Sequence, residues 1–145
     1  MNADPVVVEQ TFVAPVDVVW KAITDPEQMR RWYFETMAEF EPVVGSETQF
    51  NVRVGDRDYL HLWKVTEVVP EAGIAYSWRY GGCPGDSSVM WELSETHAGT
   101  RLKLTHTGHE TLRLDDSVAG RENCQAGWEY FLHQSLKDFL EQSNS

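Results

Sequence analysis

Four polar side chains fall on otherwise apolar faces of predicted elements, and they are the first candidates for chemistry. They are Gln10 in the first strand, His106 in the last strand, and Arg121 and Ser135 in the last helix. Burying such a group without a partner costs roughly 1–3 kcal/mol, so each one needs a ligand or a structural partner. Structural partners are the commoner case. They include the carbonyl one turn back for Ser135, a surface carboxylate for Arg121 and water at the strand end for His106.

The histidines raise the question of a metal site. His61, His106 and His109 lie on or beside predicted strands, and three histidines bind zinc in real sites. The spacing of His106 and His109 is odd, which puts them on opposite faces of an extended strand. The chain also has no CxxC or HExxH motif. We therefore predict no bound metal.

The cysteines are the candidate nucleophiles. Cys83 lies in the loop sequence GGCPGD, and Cys124 follows Arg121, whose charge would lower the pKa of a nearby thiol. Neither has a histidine at a spacing that indicates a base, and an unassisted thiol is no evidence for covalent catalysis. Glu67 and Asp58 are possible bases, but the chain has 23 acidic residues in all. The sequence predicts no catalytic set, no cofactor and no disulfide.

Large apolar side chains form the second set of candidates, because they alternate along the predicted strands and recur on the last helix. Flat rings shape pockets, and each indole adds one N–H donor. Most of these apolar side chains are equally explained by packing in an ordinary core, although the presence of six tryptophans favours a pocket. Between Tyr59 and Val69 both sets of alternating residues contain apolar side chains, so alternation alone does not show which set faces the core. We predict that Tyr59, His61 and Trp63 face inward, because this places the aromatic rings together. The predicted ligand-binding residues are His61, Trp63, Tyr76, Trp78, Trp91, His106, Arg121, Trp128, Phe131, Leu132 and Ser135.

Length and charge exclude several classes of protein. The 145 residues suit one domain, residues 1–145, and 41% of them are hydrophobic, enough for a core. The formal charge of −11 disfavours nucleic acids and anionic membranes, which attract basic surfaces. No apolar stretch approaches the roughly 18 residues of a membrane span. The first ten residues lack the pattern of a secretory signal, so we expect a cytoplasmic protein.

The apolar periodicity changes twice along the chain. Val6 to Val13 is β-branched and predicts a strand, and Pro15 to Ile23 predicts a short helix, followed by a second one that starts at Pro26. From Glu39 to Thr107 the period is two, with turn residues between the segments, which indicates an antiparallel meander. A sheet of six or seven strands buries one face by curling around a long helix. We predict an α+β helix-grip (START/Bet-v-like) fold, with two short helices after the first strand.

The longest predicted helix runs from about Ser117 to Gln142, with N-cap candidates at Asp115, Asp116 and Ser117 itself. Steps of 100° per residue group one apolar stripe around Trp128. Gly127 is a costly residue inside a helix, which suggests a bend or a close approach to another element. The stripe within about 60° of Trp128 contains Cys124, Phe131, Leu132, Ser135 and Phe139.

Three segments resemble the AHSA-type members of the SRPBCC superfamily. Ala14 to Tyr33 (APVDVVWKAITDPEQMRRWY) is similar to their opening signature, Thr100 to Gly108 (TRLKLTHTG) to their final strand, and Gly127 to Glu141 (GWEYFLHQSLKDFLE) to their closing helix. The likeness covers nearly the whole chain. It implies a cavity between the sheet and the long helix, which relatives use for lipids, hormones or polyketides and, in a minority, for chemistry.

The resemblance also implies the choice of partners. AHSA denotes homologues of the activator of a heat-shock chaperone ATPase, and single-domain members resemble its C-terminal half. We expect a binding protein for a small, mostly apolar molecule, as a monomer or homodimer, with no nucleic acid or membrane partner. The alternatives are a co-chaperone-like protein-interaction domain, with a chaperone as partner, and a small cavity enzyme of the cyclase or hydrolase type.

Overall fold

Six antiparallel strands form one curved sheet in the spatial order β1-β6-β5-β4-β3-β2. Strands β2 to β6 therefore follow one another as a meander, and β1 pairs with the last of them. The strands are β1 (Val6–Phe12), β2 (Glu47–Val54), β3 (Arg57–Val69), β4 (Gly73–Tyr80), β5 (Ser87–Thr96) and β6 (Gly99–Thr107). The structure, a computed structural model, describes residues 5–37, 39–54, 57–81, 85–108 and 121–143.

Two short helices, α1 (Val16–Thr24) and α2 (Pro26–Trp32), connect β1 to β2. Asp25 separates them, because its N–H bonds to the Lys21 carbonyl at the end of α1 while its side chain accepts from the Glu27 N–H at 3.1 Å. Pro26 then occupies the first turn of α2, where no N–H is needed. None of the helices in the described part of the chain combines the length and apolar character that a membrane crossing needs.

The long helix α3 changes its hydrogen-bond pattern along its length. It is α-helical over Arg121–Glu129, π-helical over Tyr130–Leu136 and α-helical again over Lys137–Ser143. In a regular α-helix, residues four positions apart differ by about 40° in their direction around the helix axis, so such a row winds around the helix. The π-helix has more residues per turn, and it offsets this rotation. The buried residues do recur every fourth position, as Trp128, Leu132, Leu136 and Leu140.

The stripe predicted with uniform 100° steps is therefore partly wrong. Phe131, Ser135 and Phe139 are only half-buried and lie beside the buried row, which Leu136 and Leu140 complete. The prediction assumed a single helical period, and the π-helical segment breaks that assumption. Trp128 and Leu132 are buried as predicted.

The inner face of the sheet follows the predicted period of two. His61 and Trp63 are buried on β3, whereas Leu60, which precedes His61, is 38% exposed, so the predicted inward orientation of His61 and Trp63 is confirmed. A β-bulge between Val65 and Glu67 shifts the register of β3 against β4. The predicted helix-grip architecture is thus confirmed, with α3 packed against β1 and α2, and α1 packed against β5 and β6.

The turn between β5 and β6 lies against the end of β1. Gly99 has a φ of +145°, and a Cβ at this position would overlap the carbonyl oxygen of Phe12 and lie 2.8 Å from the nitrogen of Ala14. Next to it, the buried Thr100 hydroxyl donates to the Ala14 carbonyl at 2.7 Å. Only glycine permits this close approach of two backbones.

Gly127 has no such role. A Cβ there would meet nothing within 4 Å, so of the two predicted roles, a bend or a close approach, the close approach is wrong. We expect Gly127→Ala to stabilise the protein by about 0.5–1 kcal/mol, because alanine restricts the unfolded chain and favours the helix. Urea unfolding measures the change. Gly45→Ala is the matched control: it also adds a methyl group in open space, but at a φ of +93°, and it should destabilise. A loss of stability in Gly127→Ala would contradict this account.

Candidate functional site

Aromatic rings from the sheet, α2 and α3 meet on the concave side of the sheet. Trp63 stacks on Tyr76 with ring centroids 4.6 Å apart, and Trp78 lies 5.5 Å from Trp128 of α3. These contacts bring together most of the predicted ligand-binding residues. We call this set the aromatic cluster: Trp32, Tyr33, Phe34, Phe50, His61, Trp63, Tyr76, Trp78, Trp91, Trp128 and Phe131.

Three buried indoles of the aromatic cluster have hydrogen-bond partners. The Nε1–H of Trp32 donates to the Ala22 carbonyl at 2.7 Å, and that of Trp91 to the Tyr76 hydroxyl at 3.0 Å. The hydroxyls of Tyr76 and Tyr33 lie 3.1 Å apart, and burial raises the pKa of Tyr76. Trp128 donates to Nδ1 of His106 at 3.1 Å. Structural pairing, rather than a ligand, accounts for these donors.

Trp63 and Trp78 differ from the other buried tryptophans. They are 2% and 5% exposed, and within the described residues the Nε1–H of each has no hydrogen-bond partner. They lie directly opposite each other on β3 and β4, with ring centroids 5.0 Å apart. We call them the indole pair. Unpaired buried donors are rare in folded proteins, so two of them side by side require an explanation.

His106 lies in a hydrogen-bonded chain whose direction is fully determined. An indole can only donate, so Trp128 requires Nδ1 of His106 to be unprotonated. The neutral ring then carries its proton on Nε2 and donates to Oγ of Ser87 at 2.9 Å. The single proton of Ser87 goes to the Trp78 carbonyl at 2.7 Å. His106 is only 3% exposed, so the expectation that water surrounds it at the strand end is wrong.

This direction excludes one kind of catalysis. A serine beside a histidine suggests a nucleophile with its base, but the base must accept the hydroxyl proton. Here Nε2 of His106 donates to Ser87, and the indole of Trp128 occupies the position that a carboxylate holds in a catalytic triad. The chain of bonds joins α3 to β4, β5 and β6 and positions Trp78.

His61 is the titratable member of the aromatic cluster. Its Nδ1 donates to the Tyr59 carbonyl at 2.9 Å, which leaves the lone pair on Nε2. The ring stacks on Phe50 at 5.0 Å and lies 5.3 Å from Trp78. Burial lowers the pKa of His61 from 6.5 to about 4, against the smaller effect of the bond to Tyr59. At neutral pH His61 is an uncharged hydrogen-bond acceptor.

This pKa predicts a loss of stability in acid. Between pH 6.5 and about 4 the unfolded chain protonates His61 and the folded protein does not, so the free energy of unfolding falls as the pH falls. The contribution is about 3 kcal/mol across that window. The measurement is urea unfolding of the wild type and of His61→Asn between pH 7 and 4. Other titrating groups contribute equally to both proteins, so the difference between the two pH profiles is the contribution of His61. Parallel pH profiles for the two proteins would refute this prediction.

Phe34 occupies the centre of the aromatic cluster yet is only partly buried. Its ring centroid lies 6.0 Å from both members of the indole pair and 5.3 Å from His61 and Phe131. Phe131 is also partly buried. The aromatic cluster therefore reaches solvent at these two rings. Phe34 was missed by the sequence analysis because it lies just beyond the end of α2, where helical periodicity no longer applies.

Two other predicted polar candidates have structural partners. The Ser135 hydroxyl donates to the Trp32 carbonyl and so ties α3 to α2, rather than to its own preceding turn. Oε1 of Gln10 lies 2.6 Å from Nδ1 of His133 on α3. Leu132 is completely buried and contributes packing.

Several candidates lie outside the described residues. They are Cys83, His109, Asp115, Asp116 and Ser117, together with the side chains of Arg121 and Cys124. The part of the chain that is described contains no group of three or more metal-ligating side chains. The carboxylates of Asp58 and Glu67, considered as bases, are exposed, and Asp58 lies 3.7 Å from Arg53.

Comparison with known proteins agrees with this architecture. A family model described as activator of Hsp90 ATPase homolog 1-like protein matches residues 13–141. No curated protein matches the sequence. Among solved structures, protein MLL2253 from Mesorhizobium loti has a TM-score of 0.78 at 23% identity, covering 96% of this chain and 98% of its own.

Two further solved structures are informative. DynU16, a protein in the dynemicin biosynthetic locus, has a TM-score of 0.76 at 26% identity, covering 98% of this chain and 49% of its own. The Aha1 dimer from Colwellia psychrerythraea has a TM-score of 0.69 at 19% identity, covering 95% of this chain and 96% of its own. These likenesses extend over the whole sheet and its helices, and they concern the fold.

Proposed function

Because this chain belongs to the family of activator of Hsp90 ATPase homolog 1-like proteins, we propose that it binds a small, mostly apolar molecule between the sheet and α3. One observation carries the proposal. Phe34, at the centre of the aromatic cluster, contacts buried rings and is itself partly accessible to solvent. It therefore supports the proposal as the place where a ligand from solvent would reach the apolar rings.

The position of Phe34 favours a covering role. It follows α2 and lies in front of the indole pair and His61, while Phe131 of α3 faces it at 5.3 Å. A flat apolar ligand that displaced the Phe34 ring would contact the same aromatic surfaces. The placement of DynU16 in a biosynthetic locus is in keeping with a small-molecule role.

Binding of a neutral fluorescent probe tests this function. Titrating the native protein with N-phenyl-1-naphthylamine should give a saturable signal at one site. Phe34→Ala should bind the probe about tenfold more tightly, because the ligand no longer has to displace the ring. Tyr130→Ala is the control: Tyr130 is 54% exposed beside Phe131, and its removal should leave affinity unchanged. No saturable binding in either the wild type or Phe34→Ala would disprove the proposal.

A co-chaperone function is the second candidate, and the description of the matching family favours it. Its test is stimulation of the ATPase activity of an Hsp90-type chaperone by the purified protein. Stimulation that Phe34→Ala leaves intact would assign the function to the outer surface. A hydrolase or cyclase receives less support, because His106 donates to Ser87 and cannot remove its proton.

A further inference from the structure

We propose that the indole pair recognises a carbonyl-type acceptor on a neutral, flat ligand. This inference rests on the proposed function and names the ligand class. Its basis is the contrast within the aromatic cluster: Trp32, Trp91 and Trp128 have partners for their N–H groups, whereas Trp63 and Trp78 have none in the described residues.

The chemistry of indole selects an acceptor. The Nε1–H group of a tryptophan donates one hydrogen bond and accepts none. Each unpaired buried donor destabilises the folded protein, and a bound acceptor would remove that cost. A carbonyl oxygen has two lone pairs and can accept from one such donor or from two.

The surroundings select a neutral ligand. His61, 5.3 Å from Trp78, is uncharged at neutral pH because burial lowers its pKa to about 4. The ion pairs seen among the described residues, Arg53 with Asp58 and Arg101 with Glu9, lie on the exposed surface. A carboxylate brought to the indole pair would lose its hydration, and neither of these surface ion pairs would supply a counter-ion there.

The walls select a flat ligand. The Phe34 ring lies 6.0 Å from each indole, and the Phe131 ring lies 5.3 Å from Phe34. A planar molecule that displaces Phe34 replaces its ring contacts with similar ones. Aromatic pairs of this kind stabilise a complex beyond the effect of the area they bury.

The test compares 1-indanone with indane, which share shape and size and differ by the carbonyl group. In a purely apolar site indane binds more tightly, because the carbonyl must be desolvated. If the unpaired N–H groups of the indole pair donate to the carbonyl, the order of the two affinities reverses. We therefore expect the native protein to bind 1-indanone about tenfold more tightly than indane, which corresponds to 1.4 kcal/mol. Isothermal titration measures both affinities.

Variants then assign the preference. Trp63→Phe and Trp78→Phe should each weaken 1-indanone about tenfold and change indane by less than threefold. Trp20→Phe is the control, since it removes a partly buried indole that lies outside the aromatic cluster. It should leave the preference for the ketone in place.

The indole N–H signals in a proton–nitrogen NMR spectrum give a readout that needs no variant to fold. Adding 1-indanone should move the signals of Trp63 and Trp78 downfield, and adding indane should not. If both compounds bind, but indane binds more tightly and the two signals do not move, the indole pair does not donate to the ligand. This inference then fails, while the proposed function stands. If neither compound binds the wild type or Phe34→Ala, both fail.

Discussion

Replacing Trp128 with alanine is expected to destabilise the protein by about 3–5 kcal/mol. Trp128 is 4% exposed and contacts Trp78 at 5.5 Å and Trp91 at 5.6 Å, so the substitution leaves a large void between α3 and the sheet. It also removes the donor to Nδ1 of His106 and thereby breaks the chain of hydrogen bonds at its first link. Urea unfolding at pH 7 measures the loss.

Two controls separate the ring from its N–H group. Trp128→Phe keeps most of the packing and leaves His106 without its donor, and it should cost roughly 1–3 kcal/mol. Tyr130→Ala, two positions along α3 and largely exposed, should cost less than about 0.5 kcal/mol. A loss below about 1 kcal/mol for Trp128→Ala, with Trp128 open to aqueous quenchers in the native protein, would overturn its placement between helix and sheet.

The second large effect is expected at Gly99. Gly99→Ala should destabilise the protein by about 3 kcal/mol or more, because the new methyl group overlaps the backbone of Phe12 and Ala14 and the φ of +145° disfavours any side chain. Backbone atoms cannot move aside as a flexible side chain can. The β5–β6 turn therefore has to withdraw from β1, which also strains the bond from Thr100 to Ala14.

Gly45 provides the matched comparison for Gly99. Both glycines have positive φ, but a Cβ at Gly45 meets no atom within 4 Å. Gly45→Ala therefore measures the conformational cost alone, about 1 kcal/mol. Equal losses at the two positions would mean that the turn accommodates the methyl group and that the close approach to β1 has no energetic weight.

The elements of the fold were predictable from local patterns. Prolines and Asp25 mark the ends of α1 and α2, and alternation marks the strands, so these boundaries agree with the structure to within a few residues. Grouping the rings also oriented β3 correctly, with His61 and Trp63 inward. The π-helical segment of α3 was not predictable, because its residues have ordinary helix-forming types and only the packed stripe reveals the wider turn.

The candidate site was predicted as a set of residues but not as a hydrogen-bond arrangement. Trp63 and Trp78 become neighbours through the register of β3 against β4, and no local pattern encodes which indole finds an acceptor. His106 was singled out for its apolar neighbours, yet its partners Ser87 and Trp128 are distant in sequence. Non-local contacts of this kind follow from the three-dimensional packing.

The strand order also determines when the sheet can be completed during synthesis on the ribosome. Each of strands β3 to β6 pairs with the strand made just before it, but β1 pairs only with β6, the last strand to be made, since Val6 lies opposite His106. The helix that covers the aromatic face is made later still. The concave side of a nascent chain therefore stays uncovered until α3 emerges, and this interval is when aggregation competes with folding. A chain that stops before Trp128 lacks the helix residues that cover those rings.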